Sequence, residues 1–393
     1  NYGACSSRAN AIPLKGPGIL EVPVSLGAFS LPAPAGFDTG YFTGGTQPAN
    51  SPSFPSTVYY SSVSRIDYSN DTSTVSARGP LSLARYIHAG TGNQSFGYFG
   101  GGGSPAGTLS SVDRVDYSND TADALEKGVL SVARTKLAAT GNASFGYFAG
   151  GQPTVSTVDR IDYSNDTADA LPRGPLNLAR FLLAATGNAN FGYFAGGQTP
   201  STVATVDRID YSNDTATAAP KGPLSLARYQ IAATGNSNFG YFGGGFNTIP
   251  GSNNYISTID RIDYSNDTAT AAPKGPLSAT RGYGCATGNT SFGYFGGGAG
   301  NANDNLSTVE RVDYSNDTAD TSPKGPLSHS LRKSGASSSR ANAMPLKTII
   351  NYAAGTYGTP NTGYFGGPNS LSTVDRIDYS NDTATAAVRG SLS

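Results

Sequence analysis

The feature that most constrains this chain is a unit written out seven times. A Tyr-Phe pair leading into glycines begins at Tyr41, Tyr98, Tyr147, Tyr193, Tyr241, Tyr294 and Tyr364. The string Asp-Tyr-Ser-Asn-Asp-Thr begins at Asp67, Asp116, Asp162, Asp210, Asp263, Asp313 and Asp378, always after Arg-Ile or Arg-Val, and the two signals alternate strictly. Successive Asp-Tyr steps are 49, 46, 48, 53, 50 and 65 residues apart. A period near 50 residues suits one four-stranded sheet per unit, each burying its faces against its neighbours.

The unit beginning at Arg228 shows how the strands are laid out. Tyr229 to Ala233 reads as a strand, Thr234-Gly235-Asn236 as a turn, and Phe239 to Phe242 as a second strand ending in three glycines. After a loop of variable length, Ser257 to Tyr264 alternates as a third strand, Ser265-Asn266-Asp267 turns the chain, and a weak fourth strand runs through Ala271 and Ala272 towards Leu277. In the third unit Val158, Arg160 and Asp162 share one face of the strand while Asp159, Ile161 and Tyr163 share the other. Neither face is wholly polar, as expected of a blade packed on both sides. The 51 glycines, 24 prolines and 23 tyrosines fit short strands and tight turns, not long helices. The expected fold is therefore all-β: a seven-bladed β-propeller of four-stranded blades, with residues 1–393 as a single domain. The glycine runs read as structural, because a phosphate-cradling loop would be followed by a helix and here a strand follows.

These features resemble the kelch repeat, in which an aromatic strand ends in Gly-Gly, a later strand ends in Tyr-Asp, and an Arg opens the next unit. The resemblance covers nearly the whole chain. The chain departs from it in reading Asp-Tyr for Tyr-Asp and in having no Trp. The wording of the repeat is also similar to kelch-like proteins of marine cyanophages and related viruses, which implies a virion or extracellular surface protein.

Ring closure is expected to bring the ends of the chain together. Residues 3–15 read GACSSRANAIPLK and residues 335–347 read GASSSRANAMPLK, identical at eleven of thirteen positions. Residues 1–40 are read as the lead-in and inner part of blade 1, and 335–363 as an enlarged lead-in to blade 7, the two blades abutting. Loops after the glycines are short in blades 2, 3 and 4 and long in blades 5, 6, 7 and 1. In a four-stranded meander these loops share one face with the blade-to-blade connections, which makes that face the binding candidate. Phe54, Tyr59, Tyr60, Phe246, Asn247, Tyr255, Asn301, Asn303 and Asp304 place aromatic planes beside amides and a carboxylate there, a chemistry suited to sugars or another protein.

Little points to catalysis. Twenty of the 27 acidic residues occupy three recurring slots, with Ser64 replacing the acid in one. Repetition of that kind reads as turns and ion pairs; Arg160 with Asp162 and Arg208 with Asp210 lie two residues apart on one strand face and are expected to pair within or between blades. His88 and His329 sit in no local Ser/His/Asp or Cys/His constellation, and with Cys5 and Cys285 they do not make a usual zinc site. No metal or cofactor is expected. Asn-Asp-Thr is also a formal glycosylation sequon, and calcium binding by Asp67, Asn70 and Asp71 is a further reading; a tight turn suffices for both. A net charge of -1 with 13% charged residues disfavours nucleic acid, and no tract approaches the roughly 20 apolar residues of a membrane helix. The reading is a non-catalytic structural or receptor-binding propeller on a virion or extracellular appendage, its partners surface glycan or proteins of the same assembly. The alternative is a polysaccharide hydrolase or lyase with its site at the central channel.

Overall fold

The computed structural model describes residues 38–47, 56–248, 254–301 and 305–339, together with the backbone of three later strands. Two compact units are present, one formed by 36–348 and one by 1–35 with 349–393. Among the described residues of the first unit there are six four-stranded antiparallel sheets, each a propeller blade. Blade 5 is typical: Ala232–Gly235 is innermost, followed by Phe239–Gly243, Ile259–Asp263 and the short Ala272–Lys274. The weak fourth strand expected from sequence is therefore present, three residues long.

The all-β class and the four-stranded blade agree with the sequence reading; the closure of the ring differs from it. Gly335–Ser338 supplies the inner strand of blade 1, pairing with Thr39–Thr43 in the register Gly40 to Ser338 and Thr43 to Gly335. Six blades close without the seventh repeat. That repeat forms a three-stranded antiparallel sheet, Thr362–Gly366, Thr373–Asp378 and Ala387–Ser391, in the second unit. The expected supply of blade 1's inner strand from residues 1–40 and the enlarged lead-in at 335–363 are thus corrected at Gly335–Ser338; residues 1–37 and 340–361 lie outside the described residues.

The reason lies in a buried ion pair. Each of blades 2 to 6 opens with an arginine on its lead-in that pairs with the acid of its own third strand: Arg85 with Asp113, Arg134 with Asp159, Arg180 with Asp207, Arg228 with Asp260 and Arg281 with Glu310. The first four pairs have side chains 0% exposed. In blade 1 the acid slot holds Ser64, and the arginine slot ahead of Gly335–Ser338 holds Leu331, 3% exposed. Ser64 instead meets the hydroxyl of Ser328 at 3.1 Å. Both charges are gone together, so neither is left buried alone.

A second network ties each blade to the next. The aspartate of Ser-Asn-Asp accepts from the tyrosine of the preceding blade's Tyr-Phe pair and from the arginine of its third strand. Asp214 receives Tyr147 Oη at 2.9 Å and Arg160 at 2.8 Å, and Asp267 receives Tyr193 at 2.9 Å and Arg208 at 2.7 Å. The pattern continues around the ring until Tyr294 and Arg311 of blade 6 reach Asp71 of blade 1. Arg160 and Arg208 therefore pair across blades with Asp214 and Asp267, and not with Asp162 and Asp210. Asp162 and Asp210 are drawn off by the turn after them, accepting from the amide and hydroxyl of Ser164 and Ser212. Alongside, the tyrosine of each Asp-Tyr stacks on the Tyr-Phe tyrosine of the preceding blade, as Tyr211 does on Tyr147 with centroids 4.7 Å apart. The interface is close: a Cβ on Gly222 would lie 1.9 Å from the carbonyl oxygen of Ala269 in the next blade.

Two outcomes follow from these networks. Arg228→Ala leaves Asp260 buried without its partner and should cost about 3 to 5 kcal/mol, whereas the double change Arg228→Leu with Asp260→Ser copies the blade 1 seam and should recover most of that loss. Urea unfolding of the single and double variants checks this; a double variant as unstable as the single one would show that the seam works for another reason. Burial raises the Asp267 pKa, but Lys221, Tyr193 and Arg208 outweigh it and hold the carboxyl below its ordinary value. Its contribution is fully present above the unfolded aspartate value of about 3.9 and is lost as pH falls below it. Asp267→Asn should accordingly be less stable than the parent at pH 7 and lose less on acidification, and parallel stability curves from pH 6 to 3 would contradict this.

Candidate binding face and axial mouth

The inner strands Ala89–Gly92, Ala138–Gly141, Ala184–Gly187, Ala232–Gly235, Cys285–Gly288 and Gly335–Ser338 surround a central channel. Its described lining is small and neutral, including Thr91, Thr140, Thr186, Thr234 and Thr287. Several of these hydroxyls are held by the inter-blade tyrosines: Tyr68 meets Thr287 at 2.7 Å, Tyr163 meets Thr91 at 3.3 Å and Tyr314 meets Thr234 at 3.1 Å.

At the end where the inner strands begin, the channel opens through a second ring. Ile87, Lys136, Leu182, Gln230, Tyr283 and Lys333 occupy one slot in six blades, two residues after the buried arginine or Leu331, and all have φ between 51° and 64°. Each amide donates to the carbonyl of the same slot one blade back. Lys136 donates to Ile87 at 2.9 Å, Leu182 to Lys136 at 2.8 Å, Gln230 to Leu182 at 2.9 Å, Tyr283 to Gln230 at 3.1 Å, Lys333 to Tyr283 at 2.8 Å and Ile87 to Lys333 at 2.7 Å. The hydrogen bonds close on themselves. Left-handed backbone costs an L-residue about 1 to 2 kcal/mol, and it persists where the surroundings over-determine it. Here the closed ring does so. Because the six amides and carbonyls serve the ring, chemistry at the mouth is left to the side chains.

Those side chains line a cavity of about 90 Å³ that opens to solvent, together with His88 and the apolar Leu137, Leu183 and Ile231. Burial lowers the pKa of Lys333, and the neighbouring charges of Arg332 and Lys136 lower it further; burial also lowers that of Lys136. The Lys136 ammonium donates to Gln152 and stands 5.0 Å from the centre of the Phe181 ring. Lys333 Nζ lies 5.4 Å from the Tyr283 ring and 5.7 Å from that of Tyr86. Burial raises the Tyr283 hydroxyl to about 12. His88, 5% exposed, contacts Thr43 through Nε2 at 2.9 Å and leaves Nδ1 without a partner; burial and the Arg85 charge keep its pKa well below the usual histidine value.

The described residues among those expected from sequence lie on the post-glycine loops. Residues just ahead of the left-handed slot bridge to those just past the Gly-Gly doublets, as Tyr229 does to Phe246 and Tyr86 to Gly103, so the post-glycine loops share this end. Tyr59 packs at 5.3 Å on Tyr86, and Tyr60 packs at 5.4 Å on His329 while donating to Gln47 at 2.8 Å. Phe246 packs on Tyr229 at 5.5 Å and on Tyr255 at 5.1 Å. Asn301 accepts from the Tyr255 amide at 2.8 Å and donates to its carbonyl at 3.2 Å, while Asn247 is 5% exposed with an unpaired Oδ1. Asn301 thus holds the Tyr255 segment, and Asn247 is buried. Phe54, Asn303 and Asp304 lie outside the described residues. The sequence reading missed the axial ring, which lies two residues after the lead-in arginine in a short stretch where three successive slots all vary from blade to blade.

No family model matches the chain, and no curated protein matches it. A solved structure described as "Structure of YjhT" is similar over 74% of this chain and 98% of that one, with a TM-score of 0.56 and 12% identity. At that identity the likeness shows the β-propeller fold.

If the left-handed ring is kept for its side chains, glycine should serve its backbone as well. Gln230→Gly removes the conformational penalty at φ 61° and should leave stability unchanged or up to about 1 kcal/mol higher. Urea unfolding checks this, and a loss above about 2 kcal/mol would assign the Gln230 side chain a structural duty.

Proposed function

We propose that this chain is a non-catalytic propeller of the kelch-like kind that binds glycan or a neighbouring protein through the face bearing the axial mouth, on a virion or extracellular appendage. The observation that carries the reading is the contrast between repeated and varied slots. The inter-blade aspartates, tyrosines and arginines recur around the ring, whereas the axial slot holds Ile87, Lys136, Leu182, Gln230, Tyr283 and Lys333 on one shared backbone geometry. A structural ring gains nothing from that diversity; a surface that recognises an asymmetric partner needs it. Aromatic planes beside amides and ammonium groups suit sugar faces and hydroxyls. The polysaccharide hydrolase reading would place acid and base groups on the channel, and the described residues lining it are Ala, Thr, Gly and Ser.

The test is a glycan array read beside a reducing-sugar assay on one preparation. Retention without turnover is expected, and replacing Tyr59, Tyr60, Phe246 and Tyr255 together by Ala should reduce retention at least tenfold with the unfolding midpoint little changed. Turnover of a retained polysaccharide would move the reading to the enzyme, and undiminished retention by the fourfold variant would move the site off this face.

A further inference from the structure

Two lysines in one six-residue ring, beside Arg332, are an electrostatic imbalance not repeated elsewhere among the described residues. Elsewhere in the described ring cations are paired: the lead-in arginines with buried acids, the strand arginines and the lysines of the outer strands with the inter-blade aspartates. Lys136 and Lys333 flank Ile87 at the mouth, Arg332 adjoins Lys333, and among the described residues no carboxylate lines the cavity. Their contacts are with a neutral amide and with aromatic faces, which orient an ammonium without neutralising it. Across the same opening Leu182, Leu183 and Ile231 add apolar side chains to the lining.

We infer that the axial mouth is a subsite for the carboxylate of an acidic saccharide, with Lys136 and Lys333 gripping the anion and Tyr283 and Leu182 packing the sugar ring. The lining sets two lysines beside a larger set of apolar side chains, which matches a uronic acid, whose pyranose carries a carboxylate at one edge and C–H faces elsewhere. A bare inorganic anion would leave the apolar side chains unused. The closed hydrogen-bond ring leaves backbone amides unavailable, so the charge of the two lysines, and not an amide cradle, has to select the ligand. An anion at the mouth also offsets the Arg332 and Lys136 charges, which add to burial in lowering the Lys333 pKa in the free protein.

This inference rests on the binding-face reading, and the experiment separates their failures. The full chain is titrated by calorimetry with a tetragalacturonate, with its neutral methyl ester, and with inorganic phosphate and sulfate as competitors. The acid should bind at least tenfold tighter than the ester, and Lys136→Gln with Lys333→Gln should abolish that preference while leaving ester affinity and the urea midpoint within twofold and 0.5 M of the parent. Equal binding of acid and ester by the parent, or a preference that survives the double variant, overturns the carboxylate subsite and leaves the face reading standing. Absence of binding by either saccharide overturns the subsite and removes this support for the face. Phosphate or sulfate displacing the acid at equal concentration shows a general anion site and overturns the saccharide assignment. Should the double variant fail to fold, Lys136→Met and Lys333→Met singly carry the same comparison.

Discussion

Each inter-blade aspartate stands in a gap that a single blade cannot fill. Asp214 belongs to blade 4, yet its partners Tyr147, Arg160 and Arg173 all come from blade 3. A blade alone would bury a carboxylate without donors and a tyrosine hydroxyl without an acceptor, both costly. The stacked tyrosines and the near-contact at Gly222 follow from the same docking, because the donors reach the acid only when the backbones approach closely. The repeat is therefore conserved within the chain for association between blades more than for the folding of any one.

The seam between Leu331 and Ser64 shows how closure is specified. Five blades carry a buried Arg-acid pair and the sixth carries a leucine and a serine, so charge balance is kept slot by slot. A buried pair contributes little net stability against an apolar replacement, but half a pair is strongly unfavourable. Ser64 accordingly disfavours a lead-in arginine ahead of its inner strand, and Leu331 disfavours an acid across from it. This matching favours Gly335–Ser338 as the strand that completes blade 1.

Strands, turns and blade boundaries were legible in the sequence because they depend on local signals: period-two alternation, Gly-Gly after Tyr-Phe, and Asp-x-Ser turns. The partners of Arg160 and Arg208 were not, because the aspartate that captures each lies more than 50 residues away in the next blade, while the neighbour at i+2 is taken by a serine. The closing strand was hidden differently. The near identity of 335–347 with 3–15 drew attention to the segment as a duplication, although Leu331 to Ser338 aligns with Arg228 to Gly235 and the absent acid at Ser64 already marked its partner. That the post-glycine loops share one end with the blade-to-blade connections was legible from the repeat; the axial ring was not, since a left-handed backbone at Ile87 or Leu182 has no residue signature and only the assembled ring imposes it.

The central claim is that six blades form one cooperative ring closed through Gly335–Ser338, with the axial hydrogen bonds as its innermost circuit. Native-state hydrogen exchange of the amides of Ile87, Lys136, Leu182, Gln230, Tyr283 and Lys333 tests it most directly, because each reports one blade-to-blade junction. A closed ring predicts a single opening free energy, equal within error at all six and matching global unfolding. An open array of repeats would give a gradient, with Ile87 and Lys333 exchanging first while the middle of the array stayed protected, and that result would contradict the account.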